Sequence, residues 1–189
     1  MFSRMAEIIR PFLDAFIALL LVLGPAAHAF EQPEGASRVT AKPLVRARKQ
    51  MVVTAHPLAA GAALAILRKG GSAVDAGIAA QMVLNLVEPQ SSGIGGGGFI
   101  LTFDARAKRL ASYDGRETAP SAATPELFLD RDGKELPKGK AIASGLSVGA
   151  PGALAALKLA HVRHGKLAWA DLFELAIALA REGVAISPR

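Results

Sequence analysis

The chain has 189 residues and a net charge of +6, enough for one domain or a large part of a bigger one. Half of it is hydrophobic (51%) but only 5% is aromatic, and 19 glycines are interspersed; Ala, Leu, Ile and Val thus make up the apolar mass, and a tightly layered fold with thin cores is expected. Cysteine is absent, which excludes disulfide staples and thiolate metal sites.

Residues 1–29 read as a secretory signal peptide. Arg4 and Arg10 form a basic start, Ala15 to Gly24 is an apolar run, and Ala27-His28-Ala29 has the small-x-small form of a cleavage site. A membrane anchor needs ~20 apolar residues; this run is about half that, flanked by Asp14 and Pro25. No stable membrane span is expected, the mature chain should begin near Phe30, and the destination is periplasmic or secreted. Residues 30–50 form a flexible basic lead-in carrying Arg38, Lys42, Arg46, Arg48 and Lys49. No aromatics interleave these charges and Pro43 breaks them, so the stretch reads as a solvated linker and not as a nucleic-acid-binding arm.

Met51 to Ala55 is β-branched enough to predict a short strand. Pro57 suits a first helical position, and the apolar spacing predicts a helix to Arg68, closed by Lys69-Gly70-Gly71. Ser72 and Asp75 stand three apart as a capping box, opening a helix to about Leu86 that Glu88-Pro89-Gln90 stops. With almost no linker, the two helices should pack as neighbours. A glycine run (Gly93 to Gly98) leads into a predicted strand from Phe99 to Phe103; a turn over Asp104 to Lys108 and a second strand from Leu110 to Asp114 complete a hairpin. Residues 119–148 read as loop-rich, with a short apolar piece around Leu127 to Leu129 and a polar turn at Asp130 to Gly133. Pro151 opens a helix to about His164, and a last helix spans about Ala168 to Glu182 with a clear helical apolar period.

Helices, then strands, then helices indicate an α+β layered fold. A lone hairpin leaves sheet edges in need of partners, so the fold is expected to be incomplete in this chain.

Gly93, Gly95 and Gly98 match G-x-G-x-x-G. The dinucleotide site built on that motif needs a strand before the glycines and a helix after them; here the order is reversed. No Lys-Ser or Lys-Thr follows to make a Walker A loop. Two uses stay open: a tight turn feeding a strand, or contact with a ligand through close backbone approach and exposed N–H groups.

Four blocks occur in order: Gly70 to Ala76 (GGSAVDA), Gly93 to Phe99 (GIGGGGF), Asp114 to Pro120 (DGRETAP) and Gly145 to Gly152 (GLSVGAPG). Together they resemble the large subunit of the gamma-glutamyltransferases (gamma-glutamyltranspeptidases), from about Met51 to the last residue. The resemblance implies that residues 51–189 are the N-terminal portion of that subunit, part of an N-terminal nucleophile hydrolase αββα sandwich. It implies a precursor that cleaves itself, a nucleophilic threonine that starts the small subunit, and no cofactor. The implied reaction takes a gamma-glutamyl group from glutathione or another gamma-glutamyl compound and passes it to water, an amino acid or a dipeptide. The nucleophile would lie beyond residue 189, so no catalytic residue is assigned here and the chain alone is expected to be inactive.

Arg116 is the candidate substrate-binding residue. A guanidinium can grip a carboxylate through two parallel hydrogen bonds, and a loop start just after a strand suits ligand contact. The residues alone allow an ion pair with Glu117 equally well. The resemblance implies that Arg116 binds the alpha-carboxylate of the glutamyl group and leaves Glu117 as structural. His161 and His164, three apart on a helix, read as packing or surface residues and not metal ligands. Ser91, Ser92 and Ser147 lie in no nucleophile elbow. Cephalosporin acylases and gamma-polyglutamate-processing enzymes share much of this pattern and are the enzymatic alternative; a non-catalytic truncated protein is the other.

Overall fold

A computed structural model of the chain describes residues 44–186. The signal peptide and cleavage site expected within 1–29, and the lead-in up to residue 43, lie outside the described residues. Residues 44–50 are exposed and without regular structure.

Helix α1 runs Pro57–Arg68, with proline in its first turn and His56 as N-cap; the His56 Nδ1 accepts from the Leu58 N–H at 3.2 Å. Its end is a Schellman motif: Gly70 N–H donates to Leu67 C=O (3.1 Å) and Gly71 N–H to Ile66 C=O (3.0 Å). Gly70 takes φ +92° there, a conformation that costs glycine little. Helix α2 runs Ala73–Val87 and opens on the predicted capping box: Ser72 N–H donates to Asp75 Oδ2 (2.8 Å) and Asp75 N–H to Ser72 Oγ (3.1 Å). The two helices pack side by side. Alanines such as Ala59, Ala62, Ala63, Ala79 and Ala80 make up much of the buried core, with Ile66, Ile78 and Val83 between them. Small side chains let the helix backbones approach closely, as the composition suggests.

Strands β1 (Phe99–Asp104) and β2 (Arg109–Asp114) form an antiparallel hairpin with Phe99 opposite Asp114 and Asp104 opposite Arg109. At its turn, Asp104 Oδ1 accepts from the N–H groups of Ala107 (3.0 Å) and Arg106 (2.9 Å). Those two bonds, Ala107's first, hold the Asp104 carboxyl below its ordinary pKa. One hairpin face packs inward through Ile100, Ala111 and Tyr113. The other carries Phe99, Leu101, Phe103 and Leu110, each about two-thirds exposed.

Beyond the hairpin come a short helix α3 (Lys138–Ala143), a 3₁₀ turn at Gly145–Ser147, helix α4 (Ala153–His164) and helix α5 (Glu174–Glu182). Helices and a two-stranded sheet together give the expected α+β class.

Two sequence expectations need correction. Met51 to Ala55 is not a strand: burial alternates along it and Val52 touches the core, but no neighbouring strand among the described residues pairs with it. The 119–148 stretch is loop-rich as expected, its α3 and 3₁₀ turn being too short to show a period. The last helix is split. Ala170–Leu172 forms a 3₁₀ turn, with Phe173 N–H donating to Ala170 C=O at 3.1 Å, before α5 starts at Glu174.

Candidate functional site

Arg116 stands two residues after β2, on a stretch of backbone held from both sides. Upstream, Gly98 and Gly115 exchange backbone hydrogen bonds of 3.2 and 2.9 Å, carrying the hairpin ladder one pair further. Downstream, Thr118 and Ala150 do the same at 3.4 and 2.8 Å. Between these clamps the Arg116 N–H donates to Asp114 Oδ1 at 2.9 Å. The glycine loop closes the frame, because Gly96 C=O accepts from Gly152 N–H (3.2 Å) and Ala153 N–H (3.0 Å) at the start of α4.

That frame explains the middle of the glycine run, at Gly96 and Gly97, and not Gly93, Gly95 or Gly98. None of Gly93 to Gly98 lies at positive φ. What counts is close approach: a Cβ on Gly97 would fall 2.6 Å from Glu117 Oε2 and 2.8 Å from Arg116 Cα. Gly152 is equally confined, since a Cβ there would meet the Gly115 carbonyl carbon at 2.8 Å and the Arg116 oxygen at 2.9 Å. The glycines lead from α2 into β1, so no helix N-terminus follows them to receive a pyrophosphate, as the dinucleotide site would require.

The Arg116 side chain is 61% exposed, and its Nη1 lies 3.4 Å from Glu117 Oε2. The ion pair weighed against substrate binding is therefore formed. It leaves the guanidinium accessible at a cleft of about 390 Å³ bounded by Thr118 to Pro120, Leu127, Phe128 and Leu146 to Gly149. Arg116 and Glu117 are the charged side chains lining that cleft; the remaining walls are largely apolar. A larger cavity of about 860 Å³ lies between the first half of α2 and β1, near His164 and Lys166. Arg116 does not line it.

The histidines have structural partners. His164 Nε2 lies 2.6 Å from the Tyr113 hydroxyl, tying α4 to β2. His161 Nε2 donates to Leu167 C=O at 2.9 Å and faces Asp75 Oδ1 at 3.6 Å. No group of three or more His, Cys, Asp or Glu side chains among the described residues is arranged to hold a metal ion. Ser92 Oγ accepts from Gln81 Nε2 (2.8 Å), which holds the loop on α2, and Ser147 Oγ donates to Ile142 C=O (3.0 Å).

Sequence reasoning missed one feature of the site. Glu117 lies in a slot walled by glycines: a Cβ at Gly96 would come 3.3 Å from its Oε1, and one at Gly149 would come 2.8 Å from its Cβ. The only sequence signal for this is the density of glycine on either side of the Arg116-Glu117 pair.

Comparison with known proteins places this frame. The family model described as gamma-glutamyltranspeptidase matches residues 59–189. The glutathione hydrolase proenzyme of Bacillus subtilis (strain 168) is 40% identical over 175 residues, covering 92% of this chain and 30% of that protein. The crystal structure of Helicobacter pylori gamma-glutamyltranspeptidase superposes with a TM-score of 0.71 at 35% identity, over 77% of this chain and 41% of that one. A cephalosporin acylase from Bacillus halodurans gives 0.64 at 31% identity, over 81% and 29%. The chain thus spans less than half the length of each, and its helices and hairpin are a part of the N-terminal nucleophile hydrolase fold. With the match running from residue 59 to residue 189 and such identity over most of its length, the chain belongs to the gamma-glutamyltranspeptidase family.

Proposed function

We propose that this chain is the N-terminal part of the large subunit of a gamma-glutamyltransferase (glutathione hydrolase) precursor, and that Arg116 binds the alpha-carboxylate of the gamma-glutamyl donor. The observation that carries the reading is an accessible guanidinium on a clamped backbone at the mouth of a cleft. A carboxylate can approach such a group from solvent and engage two of its N–H donors at once. The substrate class is glutathione and other gamma-glutamyl amides. The gamma-glutamyl group passes to a threonine nucleophile at the start of the small subunit, then to water, an amino acid or a dipeptide. A terminal threonine can use its own amine as the base for its hydroxyl, and no cofactor takes part. The precursor carries a signal peptide and acts in the periplasm or outside the cell.

The test is Arg116→Lys in the full-length enzyme. Charge is kept, but the planar two-pronged contact is lost. Losing charge-assisted hydrogen bonds of ~1.5–3 kcal/mol lowers kcat/KM for gamma-glutamyl donors roughly 10- to 150-fold. Wild-type kinetics in a normally processed variant rules Arg116 out as the carboxylate anchor.

The similarity to a cephalosporin acylase keeps a second reading, an acylase-like or gamma-polyglutamate-processing enzyme. Arg116 separates the acylase from the first reading, because a donor without the alpha-amino-acid end has no need of it; gamma-polyglutamate keeps its alpha-carboxylates and is told apart only by its rate as a donor. Faster turnover of such a donor than of a gamma-glutamyl anilide favours the second reading.

A further inference from the structure

We infer that Phe128 and Leu146 form the apolar wall of the subsite that holds the amine side of the reaction: the leaving group of the donor and, in its place, the acceptor. The inference rests on the reading of Arg116 as the group that binds the donor's alpha-carboxylate.

Three observations carry it. The first is the room beside Arg116. The cleft that Arg116 borders measures about 390 Å³, within the roughly 300–1,000 Å³ of pockets that enclose small-molecule ligands. Two methylenes separate the α-carbon of a gamma-glutamyl group from its reacting carbonyl. With its carboxylate on the guanidinium, so short a group fills part of the cleft and leaves the rest for whatever the carbonyl is bonded to.

The second is the lining. Pro120, Leu127, Phe128, Leu146 and Val148 face the same cleft as Arg116. Phe128 is 38% exposed and Leu146 45%. Large apolar side chains gathered around one cleft and left in water are what a ligand with an apolar body would cover. Ser147, a polar residue of the lining, turns its hydroxyl to the Ile142 and Ser144 carbonyls, each 3.0 Å away.

The third is that the wall is already built. Leu136 N–H donates to Phe128 C=O at 2.8 Å, and Leu129 bridges to Glu135 beside it. On the other side Val148 N–H donates to Gly145 C=O at 3.3 Å, and Ala150 is paired with Thr118. Both side chains therefore stand on tied-down backbone, and contact with a ligand requires little further ordering.

The chemistry puts both amines in one place. In the first half-reaction the donor's amide C–N bond breaks and an ester bond forms to the threonine oxygen. The amine departs with the proton that the hydroxyl gives up. In the second half an acceptor amine forms a new C–N bond, the ester C–O bond breaks, and the amine's proton returns to the threonine oxygen. The second half is the first run backwards with another amine, so acceptor and leaving group share a position. An apolar wall there favours amines with apolar substituents in both halves.

The experiment uses Phe128→Ala, Phe128→Leu and Leu146→Ala in the full-length enzyme. The donors are gamma-glutamyl p-nitroanilide, whose leaving amine is aromatic, and glutamine, whose leaving amine is ammonia; phenylalanine and glycine serve as acceptors. Phe128→Ala lowers the preference for the anilide over glutamine, as a ratio of kcat/KM, about ten-fold, the lower end of what an apolar pocket contact contributes to discrimination. It lowers the preference for phenylalanine over glycine in the same direction. Leu146→Ala acts likewise, and Phe128→Leu restores part of the loss. Unchanged ratios overturn the inference, and so does an equal fall for both donors, which places the wall against the gamma-glutamyl chain or marks a structural effect. Arg116→Lys separates the two readings. If it leaves kcat/KM unchanged for both donors, the carboxylate reading itself fails. If it lowers both while the Phe128→Ala ratios stay put, only the wall is lost.

Discussion

Asp75 and Lys166 are joined by a 2.9 Å hydrogen bond from the Lys166 N–H to Asp75 Oδ2 across 91 residues of sequence. The same oxygen accepts from Ser72 N–H at 2.8 Å and Leu167 N–H at 3.3 Å. A capping carboxylate at the start of α2 therefore also fastens the loop after α4, and Asp75 is fully buried while doing so. Asp75→Asn keeps the shape but exchanges a charged acceptor for an amide, which has one acceptor oxygen and two donors. A loss of about 3 kcal/mol is expected from weakening several bonds to a buried charge. Urea unfolding of the full-length protein checks it; a change below about 0.5 kcal/mol, the range of ordinary surface substitutions, would show the network to be incidental.

The glycine run offers an internal control. Gly95 and Gly97 are two residues apart and neither has positive φ. A Cβ at Gly95 meets nothing within 4 Å, whereas one at Gly97 runs into Glu117, Arg116 and the Gly115 carbonyl. Gly95→Ala should be neutral within about 0.5 kcal/mol. Gly97→Ala should cost ~1–3 kcal/mol through overpacking and should also impair donor binding. Equal behaviour of the two variants in thermal melts and donor KM would refute the close-approach account of the loop.

Several elements were legible in the sequence because their causes are local. The Ser72-Asp75 spacing marks the start of α2, Gly70 the end of α1, and two alternating runs around Asp104 to Lys108 the hairpin. What escaped depends on distant partners. Nothing near Asp75 foretells Lys166 and Leu167, and nothing near Glu117 foretells that Gly97 and Gly149 will wall it. Met51 to Ala55 has the β-branched composition of a strand, but a strand is defined by a neighbour, and the described residues supply none. The split before α5 was hidden because a 3₁₀ turn continues the apolar face across Trp169, Leu172 and Phe173. Arg116 was legible as a candidate. Its pairing with Glu117 was legible only as one of two options.

Export is a separate expectation, resting on Arg4, Arg10, the short apolar run and Ala27-His28-Ala29. Cleavage after Ala29 predicts that N-terminal sequencing of the exported protein starts at Phe30. Recovery of intact Met1 from a membrane fraction would instead identify an anchor.

The last prediction is that residues 1–189, expressed alone, do not turn over gamma-glutamyl donors. Arg116 supplies one side of a pocket, and neither Ser92 nor Ser147 has a histidine hydrogen-bonded to it among the contacts that hold their hydroxyls. The packing argument points the same way. Phe99, Leu101, Phe103 and Leu110 lie on one hairpin face and stay 66–69% exposed, while among the described residues the two-stranded sheet has no further strand at either edge. Apolar faces and open edges of this kind drive self-association. Poor solubility is therefore expected, with recovery when the rest of the precursor is co-expressed. The measurement is chromophore release from gamma-glutamyl p-nitroanilide by purified protein of verified mass. Turnover that survives repurification, and that disappears on substituting a residue within this chain, would place the catalytic group here and overturn the proposed division of labour between Arg116 and a threonine supplied by later sequence.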